Sequence, residues 1–484
     1  MGAPDTTAFL NFSTPSHASL SGGTRDVIEP ATGKVLCTVG IANAADVASA
    51  TLASAAAQKA WVAVPPRDKA AILRRAGDLF QQHFDELALY CTRETGAILP
   101  KGQHEIREAI AICHLAAALP MQSQGLVLPS VPGRSSIARR VPHGVVGVIS
   151  PFNFPLILTL RAVAPALAAG NAVVIKPDTR TPVSGGLMIA RIFAEAGLPK
   201  DLLHVLPGDA EAGEALVIDP LVPMIAFTGS PAVGRRIGEL AGRHLKKVSL
   251  ELGGANNLII LEDADLDLAA SNAAWGAWLH QGQICMASNH IYVHSSIAAQ
   301  LTQRLVTKAT HLPVGDGASG QVALGPLIDA KQRDRVHAMV QDSIKAGAKL
   351  EAGATYEGLF YKPTVLSGIK PGMRVFDEET FGPVANLITF DTDEEVIALA
   401  NHNTGSLASA IISPSIGRAM AMGQQLKSGM VHINDQTVND DCVNPFGGPG
   451  IAGNGTSVGG PADLEEYTQW QWITVKDTAP AYPF

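Results

Sequence analysis

Five short apolar runs alternate with amphipathic segments between Val145 and Glu251. The runs cover residues 145–149, 172–175, 202–205, 224–227 and 247–250. Between them, residues 156–168, a stretch opening near Pro182, residues 211–218 and residues 232–240 carry apolar side chains at helical spacing. Short Val- and Ile-rich runs separated by helices build a parallel sheet with helices on both faces. A second alternation runs from about residue 257 to residue 433, with helices near 265–280, 297–310, 332–346 and 394–401. The fold class is α/β, and in such sheets ligands bind beyond the carboxyl ends of the strands.

The polar residues that follow each run therefore matter most. Pro151-Phe152-Asn153-Phe154-Pro155 follows the first, and the Asn153 side-chain NH2 can hold an oxyanion. Lys176-Pro177-Asp178 follows the second, placing an amine in reach of ribose or phosphate. Phe227-Thr228-Gly229-Ser230 leads into a helix containing Gly234, and a Gly-Ser turn at a helix start favours an anion. The last run ends in Glu251-Leu252-Gly253-Gly254. Together these strand ends describe a dinucleotide groove.

Glu251 closes an apolar strand and meets two glycines, so its carboxylate is aimed rather than scattered. Cys285 follows the polar, loop-like Gln281-Gly282-Gln283. A thiol attacks as thiolate and needs a base or a lowered pKa, and a carboxylate can activate the thiol or a later water. Ordinary readings exist for both: a small core cysteine and a solvated strand end. Gly448-Pro449-Gly450-Ile451-Ala452-Gly453 fits GxGxxG literally, but it joins no strand to a helix and Pro449 removes an N–H. It reads as a glycine-rich loop.

At 484 residues the chain is long enough for roughly three domains, and 46% hydrophobic with 17% charged residues marks a well-buried globular protein. A net charge of -8 argues against nucleic acid as the main partner. Five scattered cysteines without CxxC point to free thiols in a reducing compartment, the cytoplasm, and to no metal. No signal peptide and no membrane span are expected; the most apolar stretch, 144–160, is broken by Pro151, Asn153 and Pro155. Asn11-Phe12-Ser13 and Asn454-Gly455-Thr456 match a glycosylation pattern that has no meaning without secretion. Residues 1–40 read as short strands and turns. Asn43 caps an Ala-rich helix, Pro66 starts another, and a third spans about 105–119; none of these is assigned chemistry. Residues 125–141 read as a strand pair about Pro132-Gly133, and the tail returns to β at 471–476.

Seven motifs in order carry a resemblance over nearly the whole chain. They are Pro151–Pro155, Lys176-Pro177, Phe227–Ser230 with Gly234, Glu251–Gly254, Gly282-Gln283-Ile284-Cys285, Glu378-Glu379-Thr380-Phe381-Gly382-Pro383 and Pro445-Phe446-Gly447-Gly448. The chain resembles the NAD(P)-dependent aldehyde dehydrogenase superfamily. Cys285-Met286, Arg161 and the ending Ala481-Tyr482-Pro483-Phe484 look closest to its benzaldehyde, vanillin and salicylaldehyde branch.

That resemblance implies a fold with a Rossmann-like cofactor domain (1–122 and 143–252), an α/β catalytic domain (253–452) and a small β oligomerisation element (123–142 and 453–484). It implies a homodimer or homotetramer. It implies oxidation of an aldehyde, aromatic by branch, to the acid, with Cys285 as nucleophile, Asn153 and the Cys285 N–H holding the oxyanion, and Glu251 activating the hydrolytic water. Cofactor residues would be Ser150, Pro151, Phe152, Lys176, Thr179, Gly208, Gly229, Ser230, Gly234, Leu252, Gly253, Glu379 and Phe381. The substrate pocket would be built from Leu158, Arg161, Ile284, Met286 and Phe446, with walls from residues 435–444. Arg161 would meet the substituted ring or make a structural salt bridge.

NAD is the expected cofactor, with NADP as a second. Thr179 stands where NAD-preferring relatives often carry Glu, and neighbouring Arg180 could favour a phosphate. Ala452 replaces a common Ser, and Thr404-Gly405-Ser406-Leu407 replaces a commoner Tyr-Gly-Leu. Three readings stay open beside aromatic oxidation: an aliphatic or semialdehyde dehydrogenase, transfer of the acyl group to coenzyme A, and a non-catalytic binding homologue.

Overall fold

The computed structural model describes residues 20–402 and 405–484. Its first sheet has the spatial order Leu203–Val205, Ala172–Lys176, Val145–Ile149, Met224–Gly229, Lys247–Leu252, with every neighbouring pair parallel. The chain steps twice to one side of Val145–Ile149 and then twice to the other. The order therefore reverses at that strand, where a crevice opens beyond the carboxyl ends. All five of its residues are buried, as a sheet covered on both faces requires. Register brings the motifs level: Ile149 lies beside Lys176 and Phe227, and Thr228 lies beside Glu251.

The second sheet runs Lys349–Ala352, Thr364–Ser367, Val384–Phe390, His290–His294, Asn257–Ile260, Ser406–Ile412, Ser428–Ile433, parallel apart from its first pair. Alternate residues serve opposite cores. Ile259, Tyr292, Ile388 and Ile411 join one cluster, while Leu258, Ile291, Leu387 and Ala410 join the other. A third, antiparallel sheet is built from Thr468–Lys476, Arg134–Pro142 and Gly125–Val127.

Several expectations shift. The third helix begins at Leu99, six residues early, and ends at Ala116; Pro100 in its first turn was the start signal. Helices Phe84–Thr95 and Ile416–Gly423 were not anticipated, and neither has a side-chain cap. The helix expected through residue 280 stops at Trp278, because His280, Gln281 and Gly282 take φ of 46°, 57° and 66°. The strand expected to end at Glu251 continues through Leu252. Asn43 does cap Ala44–Ala63, through a capping box with Asp46. The Asn11 site and much of the 1–40 reading lie outside the described residues, as does Thr404. Among the described residues no helix is long and apolar enough to cross a membrane.

Candidate active site

A groove of about 1210 Å³ opens beyond the carboxyl ends of the first sheet and reaches the second. It is larger than the roughly 300–1,000 Å³ of ordinary small-molecule sites, as an extended ligand with a second reactant would require. Asn153, Glu251 and Cys285 all line it. They arrive by different routes: Asn153 from the turn before helix Pro155–Ala168, Glu251 from the edge strand, Cys285 from the left-handed run after Trp278. Asn153 Nδ2 donates to the Gln283 carbonyl at 2.8 Å, so one of its two N–H groups ties the first turn to the cysteine loop. The other N–H remains to meet a ligand oxygen.

The electrostatics suit groups held in reserve. Glu251 is 5% exposed and neither carboxylate oxygen has a hydrogen-bond partner. Burial pushes its pKa well up; Arg161 pulls it down, and Glu466 and Asp440 push it further. Cys285 is half-buried. Burial raises its thiol, and Glu379, Asp440 and Glu251 add to the rise. Both shifts favour the protonated form, from which each group must lose a proton to act.

Of the expected cofactor residues, all but Gly234 line the groove. Lys176 Nζ donates to the Gly208 carbonyl at 2.8 Å, closing the second and third strand ends together. Ser230 caps helix Pro231–Arg243 by accepting from the Val233 N–H at 3.4 Å. Phe152 and Phe381 meet edge to face with centroids 5.9 Å apart. Gly253 leaves room for Glu379, whose carboxylate a Cβ would strike. Burial lifts Glu379 to about 8, with Arg335 and a Gly254 hydrogen bond opposing, and its Oε1 has no partner. Orphaned buried acceptors beside a glycine cradle suit a ribose, whose hydroxyls donate. Gly234 is a correction: it lies off the groove, and a Cβ there would strike Leu252. Its place is the close packing of helix on strand.

Arg180 is a second correction. Its guanidinium pairs with Asp178 at 2.8 Å and Asp329 at 2.9 Å and sits 4.0 Å over Phe152. It lines the groove already neutralised, so it is no free site for a phosphate. Helix Ala330–Lys345, capped by Asp329, supplies groove residues the motifs did not reveal. Gln332 donates to the Phe381 carbonyl at 2.7 Å, and Arg335 to those of Glu379 and Thr380 at 2.7 and 3.1 Å. These bonds hold a segment in which Phe381 has φ of 50°. No sequence signal marked them, since they recognise backbone.

On the substrate side, Leu158 and Phe446 line the groove. Ile284 and Met286 do not; they pack with Phe446, Leu407 and Val458 in the apolar cluster around the thiol. Arg161 also stands one layer back. It is 3% exposed, pairs with Asp440 at 2.8 Å and lies 5.0 Å from the Phe446 ring centre. It shares a small cavity of about 20 Å³ with Glu251 and Leu158 rather than facing the groove. Loop 435–444 contributes Asp440 to this pair and no wall to the groove. The glycine-rich loop instead packs beside Glu251, which bridges to Gly453.

A thiol, an amide donor and a buried carboxyl lining one groove beyond the strand ends suit cysteine-dependent chemistry on a carbonyl compound. The chain belongs to the aldehyde dehydrogenase family, whose sequence profile matches residues 17–473. It is 52% identical to a vanillin dehydrogenase of Amycolatopsis sp. over 97% of each chain. It is 49% identical to a benzaldehyde dehydrogenase [NAD(+)] of Pseudomonas putida over 96% of this chain and 95% of that one. A betaine aldehyde dehydrogenase of Staphylococcus aureus, solved with NAD+, superposes with a TM-score of 0.93 at 30% identity, covering 96% of this chain and 94% of the other.

Proposed function

We propose that this protein oxidises an aromatic aldehyde to its carboxylic acid, with NAD as main cofactor and NADP as a slower one. The presence of Asn153, Glu251 and Cys285 together in the lining of one groove carries the reading. The Cys285 thiolate adds to the carbonyl carbon, and Asn153 with the Cys285 N–H holds the oxyanion. NAD, when bound, accepts the hydride that converts this adduct to a thioester. Lys176, Ser230 and Glu379 would hold the cofactor, Glu379 by accepting from ribose hydroxyls. Glu251 takes a proton from the water that attacks the thioester; the C–S bond breaks, the acid leaves and Cys285 regains its thiol. Phe446, stiffened from behind by Arg161, offers a flat apolar face to an aryl ring. The vanillin and benzaldehyde relatives support the aromatic class.

The domains proposed are residues 1–122 with 143–252, residues 253–452, and residues 123–142 with 453–484. The antiparallel sheet exposes Val127 at 87% and Trp472 at 65%, which supports its use between copies in a dimer or tetramer. Five unpaired cysteines support a reducing, cytoplasmic setting. Coenzyme A as acyl acceptor is the second reading, and Glu251 counts against it because a thiol acceptor needs no water-activating base. The test is kcat/KM for benzaldehyde, vanillin and hexanal with each cofactor, and product analysis with and without coenzyme A. Acyl-coenzyme A as product, or preference for hexanal, would overturn the proposal.

A further inference from the structure

Helix Leu99–Ala116 presses a buried ion pair against the peptide that carries Asn153. Lys101 and Glu105 stand one turn apart, 5% and 0% exposed, with Nζ 2.5 Å from Oε1. Lys101 Nζ also reaches Thr95 Oγ1 at 3.5 Å, and beyond that both side chains aim at one short segment. Lys101 Nζ donates to the Asn153 carbonyl at 2.7 Å and lies 4.5 Å from the Phe154 ring centre. Glu105 Oε2 accepts from the N–H groups of Leu156 and Ile157 at 3.0 and 3.3 Å. Helix Pro155–Ala168 has no side-chain cap of its own, so Glu105 serves its first turn from another helix.

On its far side Asn153 is tied to the Gln283 carbonyl. That carbonyl ends a left-handed run anchored by Gln281 Nε2, which donates to the Gly96 and Pro326 carbonyls at 2.9 and 2.7 Å. His280 stacks edge-on against Phe154 at 5.4 Å. Burial first, and Lys101 second, hold it well below the usual histidine range, so Lys101 supplies the charge at this junction.

Desolvating an ammonium and a carboxylate is costly, and apolar residues of equal volume often stabilise a fold as well or better. The directed bonds give this pair a different use. We infer that Lys101, supported by Glu105, is a positioning residue for Asn153: it fixes the peptide so that the free amide N–H meets the oxyanion of the Cys285 adduct. The inference rests on Asn153 being the oxyanion donor.

The reference variant is Glu105→Gln, which keeps Lys101 on the Asn153 carbonyl and an oxygen for Leu156 and Ile157. The probe is Lys101→Met in that background, which removes the donor and leaves no unpaired buried charge. Single-turnover NADH formation with benzaldehyde, KM, iodoacetamide alkylation of Cys285 and the thermal midpoint are measured on both. Loss of the Lys101 donor is expected to slow acylation about 10- to 100-fold, with KM within about twofold and alkylation unchanged. Lys101→Gln, a neutral donor, recovers part of the rate; it also keeps a polar partner for folding if Met does not. Both comparisons are repeated with Asn153→Ala, where the Lys101 change should cost nothing further. The same fold loss with and without Asn153, no loss in either, or a Gln variant as slow as Met overturns the positioning role. Full acylation in Asn153→Ala alone overturns the oxyanion assignment, and the inference with it.

Discussion

Glu251 and Glu379 are two carboxyls in one groove, both raised by burial, and they have different tasks. In the proposed mechanism Glu251 must ionise to accept a proton from water, so steady turnover should rise with pH above the ordinary carboxylate range. Glu251→Gln should cut steady turnover at least about 100-fold and leave a burst of NADH in single turnover. Loss of the burst itself would place Glu251 on the thiol instead. Glu379 has a folded pKa of about 8 against an unfolded value near the usual carboxylate. The folded state then holds a proton that the unfolded chain has released. This contribution to stability is full below the unfolded pKa and is lost as pH rises through about 8. Glu379→Gln should therefore flatten the fall of the ligand-free thermal midpoint between about pH 5 and pH 8, the window in which only the folded state holds the proton. A fall as steep as wild type would show that Glu379 is already ionised.

At the scale of elements, the first sheet was readable because its strands are short, fully apolar and separated by helices. Once they were placed, the groove followed from the rule about carboxyl ends, and the register delivered Lys176, Phe227 and Glu251 to one edge. What escaped was recognition through backbone. Lys101 falls before the helix expected over about 105–119, so the sequence does not pair it with Glu105, and Gln332 and Arg335 look like surface polar residues. Only tertiary packing shows that Lys101, Gln332 and Arg335 hold the carbonyls of Asn153, Phe381, Glu379 and Thr380, and that Glu105 accepts from the Leu156 and Ile157 N–H groups. Arg161 has two readings from its helical position, ring contact or structural salt bridge, and the ion pair with Asp440, distant in sequence, favours the second. Arg161→Leu should cost about 3 kcal/mol of stability, the low end for breaking a buried pair because Asp440 keeps some water. It should lower kcat/KM by similar factors for hydroxybenzaldehyde and hexanal. A selective loss with the hydroxybenzaldehyde would put the guanidinium on the ring.

Across the whole molecule the groove joins two sheets, and Arg180 bridges them by pairing with Asp178 on one side and Asp329 on the other. Thr179 beside it presents no carboxylate to a 2′-phosphate. Thr179→Glu should depress NADP use at least about tenfold relative to NAD, since like charges exclude each other strongly in a groove. Equal loss with both cofactors would mean that the side chain does not face the ribose. The central claim is covalent: the aldehyde becomes a thioester of Cys285 before water completes the reaction. The most direct measurement is intact-protein and peptide mass spectrometry of Glu251→Gln after mixing with benzaldehyde and NAD. The account predicts a benzoyl adduct on the peptide containing Cys285, formed together with NADH. NADH formation with Cys285 unmodified, or with the adduct on Cys37, Cys91, Cys113 or Cys442, would contradict it.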